Sequence, residues 1–299
     1  MTRSGTTQGM QVIDLHAHTT CSDGTQSPAE LVREAAQAGV DVLGLTDHDV
    51  IAGWAQADAA GREYGVTIVP GVELSTQVDG VSVHTLAYFT DPLNSAMNDL
   101  MGSIRAHREE RFQRTVQLLA ADGYPVDYEA IVAHVGQGVT LGRPHVADAL
   151  VRTGAFADRN AVFATVLHGS SRYYVRHWAP PTVEAVQAIA AAGGVAIMAH
   201  PFASSRGRTI TDRQVSELVD VGLAGFEVDH PDHAPMDRRR ADALRAALGV
   251  IGTGSSDFHG TGKSTRLAAC TTDPRDFDRI LERGTGSGLL GAPSMRVPQ

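Results

Sequence analysis

The chain has 299 residues, of which 42% are hydrophobic, 25 are Lys or Arg and 34 are Asp or Glu, so the formal net charge is −9. This length and composition suit one large or two small globular domains, and they exclude a disordered, collagen-like or disulfide-rich chain. Lys263 is the only lysine, and the net negative charge argues against a broad surface for duplex nucleic acid. We therefore expect a small or single-stranded ligand and no duplex partner.

The chain contains 13 histidines but only two cysteines, Cys21 and Cys270. Without closely spaced cysteine pairs, a zinc finger and an iron–sulfur site are excluded, so any metal must be bound by imidazole and carboxylate groups. The first nine residues lack the apolar stretch of a signal peptide, and no later segment offers about 18 apolar residues. These features predict a cytoplasmic protein that does not span a membrane.

Short β-branched segments alternate with amphipathic segments in the first third of the chain. The pattern predicts strands at residues 11–15, 42–45, 66–69 and 81–89. Ser27 and Pro28 are typical of a helix N-cap and first turn, and Gly39 is typical of a helix end. A second helix is predicted over residues 52–64.

The strand pattern is absent from residues 91–179, where helices are predicted at 101–119, 128–134 and 144–151. Alternation then resumes, with helices predicted at 182–192, 212–221 and 236–248, and strands at 195–198, 224–228, 250–253 and 267–271. Strands joined by helices predict an α/β fold with a parallel sheet, open or closed as a barrel. We divide the chain into a metal-binding barrel (11–90 and 180–285) and a helical insert (91–179) that contributes to substrate binding.

A histidine or a carboxylate occurs at or near the end of almost every predicted strand. Because ligand sites form at the carboxyl ends of parallel strands, these side chains are expected to share one edge of the sheet. Taken alone, each segment is explained by a polar turn or a helix cap, but their joint placement favours a metal centre. The candidate ligands are His16, His18, Asp23, His48, Glu73, His84, His200, Asp257 and His259.

This donor set constrains the metal. Imidazoles and carboxylates without sulfur suit Mn²⁺, Fe²⁺ or Zn²⁺ better than Mg²⁺ or Ca²⁺, which prefer oxygen ligands. Nine candidate ligands exceed what one ion needs, and a shared carboxylate such as Glu73 would join neighbouring ions. We expect two or three divalent ions.

Two superfamilies of metal-binding barrels begin with a His-x-His motif. Amidohydrolases commonly bridge two metals with a modified lysine midway along the barrel, whereas Lys263 lies beyond the last metal motif. The ordered motifs instead closely resemble the PHP (polymerase and histidinol phosphatase) family over about residues 11–272. They are His16-Ala-His18-Thr-Thr-Cys-Ser-Asp23-Gly, Leu45-Thr-Asp-His48-Asp, Pro70-Gly-Val-Glu73, His84, Ala199-His200-Pro201 and Gly254-Ser-Ser-Asp257-Phe-His259-Gly.

The resemblance implies a distorted (βα)7 barrel with a trinuclear, often manganese-containing centre that hydrolyses phosphoesters. The nine candidate ligands match the ligand positions of the family. The helical insert resembles that of the nucleoside 3′,5′-bisphosphate phosphatases and the 5′-to-3′ exoribonucleases that act on short RNA. Its implied substrate-binding residues are Arg105, Arg108, Arg143 and His145.

Four further residues are interpreted by position. Arg111 and Arg114 are expected on a solvated helix face. The segment from Glu227 to His233 also resembles this branch, and we hypothesise that His230 or His233 protonates the leaving oxygen or holds a second phosphate.

The predicted reaction removes the 3′-phosphate of a nucleoside 3′,5′-bisphosphate, with a metal-held hydroxide attacking phosphorus in line. Release of 5′-nucleotides from short 5′-phosphorylated RNA remains an alternative, because both reactions place a 5′-phosphate among the insert arginines. Hydrolysis of histidinol phosphate would not need those arginines. A non-catalytic PHP scaffold would have lost ligands, and none is lost. No obligate protein partner is evident.

Overall fold

The computed structural model describes residues 11–176 and 178–291 and shows a nearly closed barrel of seven strands. In the order in which they neighbour one another, the strands are β1 (Ile13–Ala17), β2 (Val42–Leu45), β3 (Thr67–Val78), β4 (Val81–Tyr88), β5 (Val195–Ala199), β6 (Gly225–Asp229) and β7 (Ile251–Gly254). A bridge between Ala17 and Phe258 joins the end of β1 to the segment after β7. Residues 1–10, on which the expectation about a signal peptide rests, lie outside the described residues.

Helices connect the strands and form the insert. Those that pack around the barrel are α1 (Pro28–Gln37), α2 (Trp54–Tyr64), α7 (Thr182–Ala191), α8 (Asp212–Asp220), α9 (Pro235–Leu248) and α10 (Pro274–Leu281). Between β4 and α7 lie α3 (Ser95–Ala121), α4 (Tyr128–Val135), α5 (Arg143–Arg152) and α6 (Arg159–Ala164). The predicted start of α1 is correct, because Ser27 forms a capping box with Glu30 and Pro28 opens the helix.

The sheet is not wholly parallel, which corrects the sequence-based expectation. Strand β4 runs antiparallel to both of its neighbours, β3 and β5, whereas the pairs β1–β2, β2–β3, β5–β6 and β6–β7 are parallel. The reason is a tight hairpin at Asp79 and Gly80, whose φ angles of 49° and 75° suit a two-residue turn between antiparallel strands.

The strand predicted at residues 267–271 is wrong. Ala268 has a φ of 56°, which breaks an extended chain, and the segment meets the barrel through Thr272, whose N–H donates to Ile13 O at 2.8 Å. The last described strand is instead β8 (Leu290–Gly291), which pairs antiparallel with the start of β3.

The insert contributes its own apolar core. Phe112, Val146, Leu150 and Val162 are buried in a cluster formed by α3, α5, α6 and their neighbours. The first half of α3 belongs to a different cluster, because Met97, Met101 and Ile104 pack with residues of the barrel strands and α7. Helix α3 therefore links the two regions through continuous packing.

These features confirm the predicted α/β class, with a distorted seven-stranded barrel and a helical insertion. Among the described residues, no helix has the length and apolar character that a membrane span requires.

Candidate metal centre and phosphate-binding cavity

The ends of β1 and β7 meet at one side of the barrel mouth. The Nε2 atoms of His16 and His18 lie 3.0 Å apart. Asp257 and His259 follow β7, and the N–H of His18 donates to Phe258 O at 2.8 Å, which holds the two segments together. Asp257 Oδ1 lies 3.3 Å from His18 Nε2 and 3.5 Å from His16 Nε2. The His-x-His and Asp-x-His motifs therefore form one group.

Glu73, in the middle of β3, lies among most of the other candidate ligands and is 1% exposed. Both of its carboxylate oxygens contact imidazoles. The ring nitrogens within 3.3 Å of these oxygens belong to His16, His18, His48, His84 and His200. A carboxylate surrounded in this way is suited to bridge two cations.

Asp23 belongs to the loop between β1 and α1, and its Oδ1 lies 3.3 Å from His259 Nε2. The loop is shaped by Asp47, which accepts hydrogen bonds from the N–H of Thr19 at 2.8 Å, from the Thr19 hydroxyl at 2.6 Å and from the Ser22 hydroxyl at 2.6 Å. Asp47 thus fixes the loop that brings Asp23 to the cluster of candidate ligands around Glu73.

Backbone strain accompanies two of the candidate ligands. His200 and Asp257 follow the ends of β5 and β7 and have φ angles of 32° and 51°. Non-glycine residues adopt such angles rarely, and the strain is typical of functional sites, where the surrounding structure imposes the conformation.

Four groups of these side chains bring donor atoms within 4.8 Å of one another. The groups are His18, Asp23, His48 and His259; His16, His18 and Asp257; His48, Glu73 and His84; and His16, Glu227 and His230. Eight of the nine predicted ligands occur in these groups, and only His200 does not. The buried His48 Nδ1 lies 3.1 Å from Glu73 Oε2 but forms no hydrogen bond with the described residues. This buried nitrogen and oxygen donor set fits divalent cations.

The protonation states of four of these groups, His200, His259, Glu73 and Asp257, suit metal binding. Burial, reinforced by nearby positive charge, lowers the pKa of His200 to about 3 and that of His259 to about 4, so both rings are neutral and can donate a lone pair. Burial alone would raise the carboxyl pKa values of Glu73 and Asp257. Neighbouring imidazoles, and Lys263 beside Asp257, instead hold the pKa of both carboxyls well below the usual range.

The cluster opens into a cavity of about 1460 Å³, and part of the cavity wall comes from the insert. Arg108, Arg111 and Arg143 line this wall. Arg108 is 6% exposed, with its Nε atom 2.7 Å from Asp49 Oδ2 and its Nη2 atom donating to Ser75 Oγ at 2.7 Å. Asp49 and Ser75 therefore hold this guanidinium at the edge of the cluster.

Arg111 forms no ion pair with the described residues. Burial, together with repulsion from Arg108 and Arg143, lowers the pKa of Arg111 to about 9. Arg111 is half-buried and lines the cavity, whereas a solvated helix face was expected, because three residues along a helix bring it to the side of α3 that carries Arg108. Arg114 is exposed, as expected. The wall carries more positive than negative charge, which suits a phosphate group.

Residues 14–165 match the sequence profile of the PHP domain. The chain belongs to the PHP domain family. It is 33% identical over 281 residues to a 3′,5′-nucleoside bisphosphate phosphatase from Chromobacterium violaceum, covering 94% of this chain and 99% of that protein. It is 34% identical over 248 residues to a 5′-3′ exoribonuclease from Haemophilus influenzae, covering 82% and 89% of the two chains.

Solved structures support the same family. A structure from Bifidobacterium adolescentis, described as a candidate metal-dependent phosphoesterase, superimposes with a TM-score of 0.89 at 37% identity and covers 92% of this chain and 97% of that one. The predicted family and the predicted enzyme class, a metal-dependent hydrolase of phosphoric esters, are confirmed by these relationships.

Two predicted substrate residues connect the insert to the PHP barrel and do not line the cavity. Arg105 Nη1 donates to Asp49 O at 2.6 Å. His145 Nδ1 accepts a hydrogen bond from the N–H of Gly142 at 3.0 Å, so its Nε2 donates to Ser22 O at 2.9 Å. Both side chains hold loops that carry the cluster.

Strand β6 and the segment after it bring Glu227 and His230 to the PHP cluster. Glu227 Oε1 accepts a hydrogen bond from His16 Nδ1 at 3.0 Å, which leaves the lone pair of His16 Nε2 for a cation. The N–H of Asp232 donates to His230 Nδ1 at 3.0 Å. Because Nδ1 is an acceptor, His230 carries a proton on Nε2, which lies 3.5 Å from Asp257 Oδ2.

His233 is placed differently from His230. Its Nδ1 donates to Val228 O at 3.0 Å, and its Nε2 accepts a hydrogen bond from the N–H of Phe202 at 3.3 Å. Both ring nitrogens are thus occupied by backbone groups, while the ring centre lies 5.7 Å from that of His230. Neither ring nitrogen of His233 is therefore left to contact a substrate, unlike Nε2 of His230.

Sequence reasoning assigned no role at the site to Arg206 or Lys263. Both side chains contact Asp257 and line the cavity. The sequence did contain a signal for Lys263, because it is the only lysine and follows the Asp-x-His motif by four residues.

Proposed function

We propose that this protein is a metal-dependent phosphoesterase that removes the 3′-phosphate from nucleoside 3′,5′-bisphosphates. The observation that carries the proposal is one cavity in which the cluster around Glu73 adjoins three arginines of the insert. A substrate with two phosphates has a partner for each of these regions. A monophosphate such as histidinol phosphate would leave the arginine wall without one.

The proposed metal ligands are the nine residues predicted from the sequence, and the buried donor groups fit two or three divalent ions, with Mn²⁺ first and Fe²⁺ or Zn²⁺ as alternatives. Such ions would supply an activated water and neutralise charge on the reacting phosphoryl oxygens. Glu227 would orient His16 from behind, through its bond to Nδ1.

The insert would bind the phosphate that is not hydrolysed. Arg108 is held in place by Asp49 and Ser75, so it reaches the substrate without rearrangement. Arg111 has no ion pair to give up among the described residues, and its guanidinium can donate two parallel hydrogen bonds to phosphate. We propose residues 91–179 as the region that provides this recognition.

His230 is the proposed partner of the leaving oxygen. Its Nε2–H lies at the cluster, 3.5 Å from Asp257 Oδ2, and its Nδ1 is occupied by the N–H of Asp232. The ring is therefore oriented to donate a hydrogen bond into the site. His233 would keep the segment in place.

A second reaction, release of 5′-nucleotides from short 5′-phosphorylated RNA, is favoured by the extent of the cavity. The cavity continues past the cluster to residues 261–265, which gives room for a strand beyond the scissile phosphate. The proposed substrates are therefore small nucleotides and short single-stranded RNA, consistent with the net charge of −9.

The test is to incubate Mn²⁺-reconstituted protein with adenosine 3′,5′-bisphosphate, a 5′-phosphorylated RNA pentamer and histidinol phosphate. We expect phosphate release from the bisphosphate, nucleotide release from the RNA and little reaction with histidinol phosphate. Asp257→Asn provides the inactive control. If no Mn²⁺-dependent product appears from any substrate, the enzymatic proposal is wrong; a preference for histidinol phosphate would contradict the role of the arginine wall.

A further inference from the structure

Two cations converge on one oxygen of Asp257. Lys263 Nζ and Arg206 Nη2 each lie 2.7 Å from Asp257 Oδ2, whereas Oδ1 of the same carboxylate faces His16, His18 and His259. The carboxylate thus has one oxygen at the cluster and the other at a pair of positive charges. Both cationic side chains line the cavity, and each is about one third exposed.

The order of the strands around the barrel separates Arg206 and Lys263 from the insert arginines. Arg108 contacts Asp49 and Ser75, on the loop after β2 and on β3, whereas Arg206 and Lys263 contact residues that follow β6 and β7. In a ring of seven strands, these two pairs of neighbours lie on roughly opposite sides of the mouth. The cluster lies between two walls of one cavity that each carry positively charged side chains.

The second wall keeps donors free for a ligand. The ammonium group of Lys263 has three N–H donors, and Asp257 is its only hydrogen-bond acceptor among the described residues. Arg206 uses Nε and Nη2 on Asp232 and Asp257, so its Nη1 group has no acceptor there. The surrounding segments at 204–207 and 261–265 consist otherwise of serine, threonine and glycine, so the carboxylates at this wall are Asp257 and Asp232, each already paired with one of the two cationic side chains.

We propose that Lys263 and Arg206 form a subsite for the phosphate that follows the scissile phosphodiester in 5′-phosphorylated RNA of three nucleotides or more. This inference rests on the proposed function, which places the 5′-phosphate at the insert arginines and the first phosphodiester at the cluster. The strand then continues toward the wall formed by β6 and β7. A dinucleotide has no phosphate at that position, whereas a trinucleotide does.

The test compares kcat/KM for a 5′-phosphorylated dinucleotide and trinucleotide of the same base. We expect the third nucleotide to raise kcat/KM about tenfold, because a phosphate there gains hydrogen bonds from charged donors. Lys263→Met is expected to abolish this trinucleotide advantage. Lys263→Met also removes a contact to Asp257. Any loss of activity caused by that change lowers kcat/KM for both substrates equally and cancels in the ratio of the two values. Arg266→Met is the matched control, because it removes one positive charge from an exposed residue nearby that does not line the cavity.

Two outcomes overturn the proposal: an unchanged trinucleotide advantage in Lys263→Met, or an advantage that Arg266→Met abolishes equally. A second measurement separates this result from the proposed function. Fluorescence anisotropy in EDTA reports binding of the labelled trinucleotide without hydrolysis, and Lys263→Met should weaken that binding and flatten its salt dependence. If wild-type protein hydrolyses no substrate but the binding difference persists, the proposed function fails and the subsite stands; equal binding by both proteins overturns the subsite.

Discussion

The barrel mouth and the insert wall border one cavity but place their charges by different physical means. In the barrel, donors come from strands or strand ends, and Glu73 is 1% exposed among imidazoles that fix it from several directions. In the insert, Arg111 reaches the cavity from a helix on a flexible side chain and has no ion pair with the described residues. The barrel thus suits chemistry that needs fixed geometry, and the insert suits recognition that differs among substrates.

The largest difference between the two regions should appear with Glu73→Gln. The substitution keeps the shape but removes the charge that five imidazoles face, so we expect kcat to fall by about 10³-fold or more and metal content to decrease. Steady-state kinetics and elemental analysis measure both effects. Glu110→Gln, on the exposed side of α3, is the control. Wild-type metal content and activity in Glu73→Gln would contradict the proposed centre.

The separate core of the insert predicts a separable loss of stability. Leu150 is fully buried there, so Leu150→Ala should cost about 2–5 kcal/mol of folding free energy and loosen residues 91–179 first. Limited proteolysis and denaturant unfolding, measured together with metal binding, would show whether the insert unfolds before metal binding is lost. Val183→Ala, at a position 38% exposed on α7, should have little effect. Simultaneous loss of metal binding and insert structure would contradict the proposed division.

Arg111→Met should change substrate choice more than chemistry. Losing a charged hydrogen-bond donor to the second phosphate is expected to lower kcat/KM for a bisphosphate about 10- to 100-fold. A 3′-monophosphate, which lacks that phosphate, should be much less affected. Arg114→Met provides the matched control, because Arg114 lies three residues further along α3 and is exposed. Equal losses on both substrates would show that Arg111 acts on the cluster and not on recognition.

The smallest predicted effect concerns the contact between the two regions. His145→Ala removes the donor to Ser22 O and the acceptor of Gly142 N–H, so the loop carrying Asp23 should hold metal about tenfold more weakly. His145→Gln can still donate to Ser22 and should recover part of this affinity. Calorimetric metal titration measures the change. A higher substrate KM with unaltered metal affinity would instead support the original interpretation of His145 as a substrate residue.

The sequence contained most of the barrel chemistry because residue type and strand position together define it. The motifs at His16, His18, Asp257 and His259 occur at predicted strand ends, and parallel neighbours bring such ends together without further information. The antiparallel β4 was not predicted although Asp79-Gly80 is a hairpin signal, because the strand–helix alternation on either side is typical of parallel connections. Short elements such as β8 have too few residues for a periodic pattern.

The cavity walls were harder to predict, because they depend on how helices are rotated against the barrel. Arg111 and Arg114 are three residues apart on the same helix, yet of the two only Arg111 lines the cavity. His145 resembled a substrate residue, but its two nitrogens bind backbone groups that local sequence does not identify. Contacts of this kind join residues more than 100 positions apart, such as Ser22 and His145, which are separated by 123.

The central claim is that the cluster hydrolyses one phosphoester while the arginine wall holds another. Its most direct test identifies the products formed from adenosine 3′,5′-bisphosphate by ³¹P NMR. We predict 5′-AMP and inorganic phosphate with Mn²⁺-loaded protein and no reaction after chelation. Accumulation of 3′-AMP, which would mean that the 5′-phosphate had been at the cluster, would contradict the account.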